Sequence, residues 1–276
     1  MVSEVGWQTL HQAHLAPPVY SICLNALAQP GHLFSPSPAW ARLFLTWIEA
    51  LAPSLHDAVL PAAVACECMA AGYDRIDAVY DQAGDVEIRG LRTHDLPGGI
   101  TLLLLAQEAL AGLSLPAERR VCACAILARA GRRALAGQIK DHELRRMTAP
   151  VPSDALAVMH MRSGALVAAP CQCAAVLAGA SWRVIALAGR FGCALGCAAQ
   201  LEDDLSDRVD DAHGGRKTIP TILADLYPDS PDLVEATTWV LMRRFLEEAA
   251  RALARLPSYL GGDVLWTLLP DDLRMT

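Results

Sequence analysis

Apolar and small residues recur along this chain at three- and four-residue spacing, and β-branched runs are short, a pattern that predicts helices almost throughout. The first forty residues hold several prolines and little clear period, and read as two short helices with a loop at Gln29-Pro30-Gly31. Ser37 followed by Pro38 suits an N-cap with proline at the first helical position and predicts a helix to about Ala52. The segment from about His56 to Asp81 reads as a long buried helix ending in acidic residues, followed by a loop with Gly84, Gly90 and Pro97-Gly98-Gly99. Further helices are expected near 99–112, 116–141, 153–180 and 181–207. Asp210 to Gly215 reads as a loop, and Ser230-Pro231-Asp232 caps a helix to about Leu256. No linker, repeat or low-complexity tract breaks the series, so one all-α domain over 1–276, built from ten or more helices, is expected.

Composition sharpens this picture. With 276 residues, 53% hydrophobic and 19% charged, the chain can bury a sizeable core and is not disordered. Its net charge of −7 and its lack of any Lys/Arg block exclude a nucleic-acid partner as an expectation. The nine cysteines show C-x-C spacing and one C-x3-C pair, Cys193 and Cys197, but no C-x2-C pair. Zinc is therefore weakly supported, and buried free thiols in a reducing cytoplasm are expected. The start, MVSEVGWQTLHQ, has neither a cationic nor an apolar leader segment, so no signal peptide is expected. The uncharged stretch Gly164–Trp182 is near bilayer length, but its Ala, Gly, Pro170 and Gln172 favour a buried helix over a membrane span.

The richest chemistry lies in Gly189–Asp207. On a helix, Gln200, Asp203, Asp204 and Asp207 fall at i, i+3, i+4 and i+7, one face, which Gly192 and Gly196 continue toward the N-terminus. Clustered carboxylates repel and are unfavourable when partly buried; a hard divalent cation relieves that, and Mg2+ prefers carboxylates plus waters and phosphate oxygens. The glycines are expected to leave empty space for a substrate tail beside the metal. A second acidic set, Asp74, Asp77 and Asp81, also shares one helical face and on its own reads equally well as a solvated helix end. Arg162, Lys217 and Arg89 are each ordinary surface charges in isolation, but together can grip a diphosphate.

On these residues the sequence resembles the trans-isoprenyl diphosphate synthases from about Gly31 to Ala224. The segment beginning Arg162-Ser163-Gly164 is similar to a Lys-Thr segment of that family, Gln200 to Asp207 to its second aspartate-rich motif, and Arg216-Lys217-Thr218-Ile219-Pro220 to a Lys-Thr-Leu-Pro segment. Gly137-Gln138 followed by Asp141 also looks like the family. The resemblance implies an isoprenoid-synthase-type helical bundle with a central active-site cavity, residues 1–35 forming divergent N-terminal helices. It also implies Mg2+ (three ions), an allylic isoprenoid diphosphate as substrate, and a homodimer. The metal ligands it implies are Asp77, Asp81, Asp203, Asp204 and Asp207. Arg162, Lys217, Arg89, Gln200 and Ser163 are the implied substrate contacts, and Asp77, Asp81, Asp203, Arg162 and Lys217 the catalytic set.

The departures bear on activity. Counting ten residues from the helical Glu67 gives Asp77-Ala78-Val79-Tyr80-Asp81, so the second carboxylate of the first motif is Ala78. The family's Gly-Lys-Arg-x-Arg-Pro aligns with Gly31-His32-Leu33-Phe34-Ser35-Pro36, without its Lys and Arg residues, which in the family hold the second, homoallylic diphosphate. Each charge-assisted contact is worth roughly 1.5–3 kcal/mol, so their loss weakens that site by several. The expected activity is therefore Mg2+-dependent ionisation of an allylic diphosphate, with the cation deprotonated, cyclised or quenched by water, as in small terpene synthases on this fold. The alternatives are a prenyl diphosphate synthase that condenses the allylic substrate with isopentenyl diphosphate, and a non-catalytic partner subunit.

Overall fold

The computed structural model describes residues 1–82, 95–258 and 260–273, with the side chains of 80–82 set aside. Every regular element among the described residues is helical. The α-helices are α1 (Val2–Gln12), α2 (Pro17–Leu27), α3 (Ala39–Leu51), α4 (Leu60–Gln82), α5 (Asp95–Ala111), α6 (Ala117–Arg145), α7 (Pro152–Met159), α8 (Ala165–Leu177), α9 (Trp182–Ser206), α10 (Arg208–His213), α11 (Ile219–Leu226), α12 (Pro231–Leu253) and α13 (Asp263–Trp266). A π-helical turn, His160–Gly164, joins α7 to α8. The chain divides into two compact units, one of Met1–Ala128 with Pro170–Ile185, the other of Arg129–Ala169 with Ala186–Thr276.

In the first unit α4 packs along α5. Gly72 and Gly99 make this possible: a Cβ on either would come within 2.9 Å of the other's carbonyl oxygen. The start of α3 differs from the sequence expectation. Pro38, not Ser37, is the N-cap, and no side chain of its own loop caps the helix. Glu67, fully buried on α4, does so instead: its Oε1 accepts the Ala41 N–H at 2.7 Å, meeting one of the donors a helix start leaves unpaired. The buried thiols Cys66, Cys68, Cys171 and Cys173 lie in this unit as free cysteines, their pKa pushed up by burial.

The second unit has its own core, in which Leu144, Met159, Leu201, Ile219, Ile222 and Val234 are all buried. Two expectations fail here. The stretch 153–180 is not one helix, because the π-turn interrupts it and α8 ends at Leu177, before a turn through Gly179 at φ +74°. Nor is 210–215 a loop: residues 208–213 form α10, with the turn confined to Gly214-Gly215. Among the described residues α9 alone is long and apolar enough to cross a bilayer by composition; 56% of its most apolar window is buried, and it ends in Asp203 and Asp204.

Candidate active site

The site is built around the π-turn. A π-turn carries one more residue per hydrogen-bonded ring than an α-turn and often marks functional positions. Two glycines let its neighbours close on it. A Cβ on Gly196 of α9 would lie 2.5 Å from the Ser163 carbonyl oxygen and 2.8 Å from Val167. A Cβ on Gly137 of α6 would lie 2.8 Å from the Arg162 side chain. Gly196 therefore does not leave an empty space for a substrate tail, as its sequence position led us to expect. It is filled by the backbone of the π-turn, and Gly192 is buried too.

That close approach sets a short chain of polar contacts. Ser163 Oγ donates to Gln200 Oε1, and Gln200 Nε2 donates to Asp204 Oδ1 at 2.7 Å. Three residues singled out by sequence are thus brought together by one helix and a turn. Burial raises the Asp204 carboxyl to about 7; the Gln200 hydrogen bond opposes this, and Asp211 and Asp203 add to it. Asp203 is raised as well, by desolvation and then by Asp207 and Glu202, although its side chain reaches the surface. Asp207 lies just past the end of α9, exposed, as the backbone N-cap of α10.

The positive groups take separate partners. Arg162 Nη1 lies 3.5 Å from Asp141 Oδ2, which also accepts from Arg145 Nη2 at 2.7 Å. Lys217 Nζ donates to Asp225 Oδ2 at 2.8 Å and lines a cavity of about 350 Å3 with Arg208, His213 and Arg216. Arg162 is not among that cavity's lining residues. Lys217 stands just before α11, whose start is fixed by Pro220 in its first turn and by Thr221 Oγ1 accepting the Thr218 N–H at 2.9 Å.

In the first unit, Asp77 sits half-buried on α4. The Asp81 side chain and all of Arg89 lie outside the described residues. Asp74 points elsewhere: its Oδ2 is 2.8 Å from His32 Nε2, while His32 Nδ1 is 3.7 Å from Glu67 Oε2. Burial disfavours the charged imidazole, but the hydrogen bond to Asp74 and the nearby charges of Asp74 and Glu67 outweigh it and lift His32 to about 9. The residue that stands where the family has its first lysine is therefore a cation at neutral pH, turned inward onto two carboxylates. Leu33 beside it is fully buried, and Phe34 stacks on Trp7 with ring centroids 4.6 Å apart.

Sequence reasoning overlooked Asp211, buried and raised by desolvation beside Arg216, because it was assigned to a solvated loop. It also overlooked Arg145, whose i, i+4 spacing from Asp141 was the available signal. Arg208, His213 and Arg216 were missed because only the fold gathers them.

Comparison with known proteins bears on the fold and on the sequence pattern of its middle part. The family model for polyprenyl synthetase matches residues 97–225. A geranylgeranyl pyrophosphate synthetase from the archaeon Geoglobus acetivorans superposes with a TM-score of 0.80 at 20% identity, covering 100% of this chain and 97% of that one. A polyprenyl synthetase from Streptomyces coelicolor gives 0.70 at 20%, over 99% and 95%. A geranyltranstransferase from Methanosarcina mazei gives 0.76 at 17%, over 99% and 96%. No curated protein sequence matches the chain. The fold is that of these prenyl synthetase and transferase structures. Within that class, the stretch from the start of α5 to the end of α11 carries the polyprenyl synthetase sequence pattern.

Proposed function

We propose that this chain is a Mg2+-dependent enzyme that ionises an allylic isoprenoid diphosphate and transfers the prenyl group to a second diphosphate. The observation that carries the first half is the end of α9. Asp203, Asp204 and Asp207 offer hard oxygen donors, and burial and mutual repulsion leave Asp204 reluctant to ionise without a cation. That donor set fits Mg2+. The proposed ligands are Asp203, Asp204 and Asp207, with Asp77 and Asp81 from α4 by resemblance. When bound, Mg2+ supplies Lewis-acid charge for the leaving diphosphate.

The residues of the chain do the rest. Ser163 and Gln200 hold Asp204 in place, Arg162 and Lys217 meet the negative charge that grows on the diphosphate as its C–O bond breaks, and Arg89 assists by resemblance. The electron pair of that bond stays with the diphosphate. The double bond of the second substrate then forms the new C–C bond and yields a proton. Prenyl transfer is placed first because the structural relatives carry synthase and transferase names.

One observation favours the terpene-synthase alternative: at Gly31–Pro36 the single cation, His32, is turned inward, leaving no exposed basic side chain for a second diphosphate. A single assay separates the readings. The protein is incubated with Mg2+, an allylic diphosphate and labelled isopentenyl diphosphate. A longer labelled diphosphate supports transfer; a hydrocarbon or alcohol formed regardless of the labelled partner supports the alternative. Absence of pyrophosphate release across a panel of allylic diphosphates overturns both and leaves the non-catalytic subunit.

The same reading carries one functional domain over 1–276, a homodimer and a cytoplasmic location. Exposed Ile100 and Leu104 on α5 favour self-association, and nine free cysteines favour a reducing compartment. Light scattering on the purified chain tests the dimer, a monomeric mass being the adverse result.

A further inference from the structure

The C-x3-C pair of α9 does not behave like its other thiols. Cys193 and Cys197 stand one turn apart, and the π-turn brings His160 against both. His160 Nδ1 is 3.5 Å from Cys193 Sγ and 3.4 Å from Cys197 Sγ, and the three ligand atoms all lie within 4.8 Å of one another. A tetrahedral zinc ion with bonds of about 2.3 Å to sulfur and 2.0–2.1 Å to nitrogen requires an S···N edge of about 3.5 Å. The two S···N spacings already present, 3.5 and 3.4 Å, match that edge.

The surroundings are built for a charged sulfur. The Cys193 thiol is pushed down, first by the hydrogen bond from Cys197 and then by His160, against the opposing effect of burial. Cys197 is pushed up by the same contact. Gly164, the last residue of the π-turn, faces the pair: a Cβ there would sit 3.0 Å from Cys193 Sγ and 3.1 Å from Cys197 Sγ. Phe245 covers the imidazole edge-on at 5.5 Å. Cys193 and His160 are only half-buried, so an ion has an entry path, and Arg133 and Glu248 are the charged groups whose fields reach the cluster.

We propose that His160, Cys193 and Cys197 form a Cys2His site for a thiophilic divalent ion, Zn2+, separate from the carboxylates at the end of α9. The fourth position falls to water or to an added ligand, as in open three-residue zinc sites. Binding ties the π-turn to α9 by coordinate bonds. Because Ser163 on that turn holds Gln200, and Gln200 holds Asp204, the ion braces the platform on which the aspartates stand. Sequence spacing gave no hint of this, since the histidine lies more than thirty residues from either cysteine.

The test uses the full chain, reduced and stripped of metal, titrated with Co2+ as a spectroscopic substitute and then with Zn2+. One equivalent of Co2+ is expected to give a thiolate-to-cobalt charge-transfer band with tetrahedral d–d absorption, abolished by one equivalent of Zn2+. Cys193→Ser, Cys197→Ser and His160→Ala should each weaken Zn2+ binding by roughly a hundredfold. Cys122→Ser, at the exposed cysteine of α6, and Asp203→Ala should leave the band unchanged. Circular dichroism confirms that each variant is folded; should Cys197→Ser fail to fold, the half-buried Cys193→Ser and His160→Ala decide. Absence of a thiolate band in the reduced wild type, or a band that survives both Cys193→Ser and His160→Ala, overturns the site.

Discussion

Two acidic clusters in this molecule, each with one strongly desolvated carboxylate, solve the same electrostatic problem in opposite ways. In the first unit, Glu67 and Asp74 flank His32, whose imidazolium supplies their counter-charge, and Glu67 further receives the N-terminal N–H of Ala41. In the second unit, Asp204 accepts from the neutral amide of Gln200 and feels a weaker attraction from Arg162, while Asp211 and Asp203 repel it. The first cluster is complete within the chain and serves architecture. In the second, repulsion from Asp211 and Asp203 outweighs the attraction of Arg162, a balance that favours an ion from solution. Counting acidic residues does not separate the two; asking whether each carboxylate has its own counter-charge does.

The comparison is most sharply tested by removing an acid from the deficient cluster. Asp203→Ala is expected to lower Mg2+-dependent pyrophosphate release by a factor of about a thousand, the scale of losing charge stabilisation in a transition state, with unchanged helical dichroism. Activity within tenfold of wild type would remove α9 from the site. Removing an acid from the complete cluster should do the reverse. Glu67→Gln leaves His32 short of a counter-charge and is expected to lower stability by roughly 3 kcal/mol, read from urea unfolding, because breaking a buried pair costs about 3–5 kcal/mol.

Proton linkage gives the two clusters different signatures. His32 has a folded pKa of about 9 against an ordinary 6.5, so its contribution is fully present below about 6.5 and is lost as pH rises through 9. Asp204, raised from 3.8 to about 7, acts with the same sign over a lower window: stability falls as pH rises between those values, because the folded carboxyl gives up its proton less readily than the unfolded one. In metal-free protein, Asp204→Asn should abolish the acid-side fall, and His32→Gln the alkaline one; melting curves across pH 4 to 10 read both. A variant that shifts the other window shows the assignment to be reversed. The smallest effect is expected at Ser163→Ala, which removes one hydrogen bond worth about 1 kcal/mol and should reduce turnover about fivefold while leaving the melting point nearly unchanged.

Much of this was legible beforehand. Apolar period and Pro placement put α9 and α12 within a few residues of their true bounds, because long helices average over many local signals. Ser163, Gln200 and Asp204, singled out by their spacing and resemblance, are joined by hydrogen bonds. The π-turn was not legible, since an extra residue in one turn leaves composition and apolarity unchanged. The role of Gly196 was misjudged for a related reason: a glycine on a helix face announces close approach, but not whether a ligand or a backbone approaches. The start of α3 was displaced because its capping acid, Glu67, comes from another helix. Asp141 was noticed only as part of a pattern; its bridging of Arg145 and Arg162 needed the fold.

A turn that holds one surplus residue is also a place where the chain can lose one. Deleting a single amino acid within 160–164 would let α7 and α8 fuse into an uninterrupted α-helix, changing which side chains the turn presents while the faces of α7 and α8 on either side keep their register. Serine 163, or whatever took its place, would then face away from Gln200, while the cores of α7 and α8 could keep their helical form. Small changes of length at this point thus offer evolution, or an engineer, a way to retune the catalytic surface without rebuilding the scaffold beneath it.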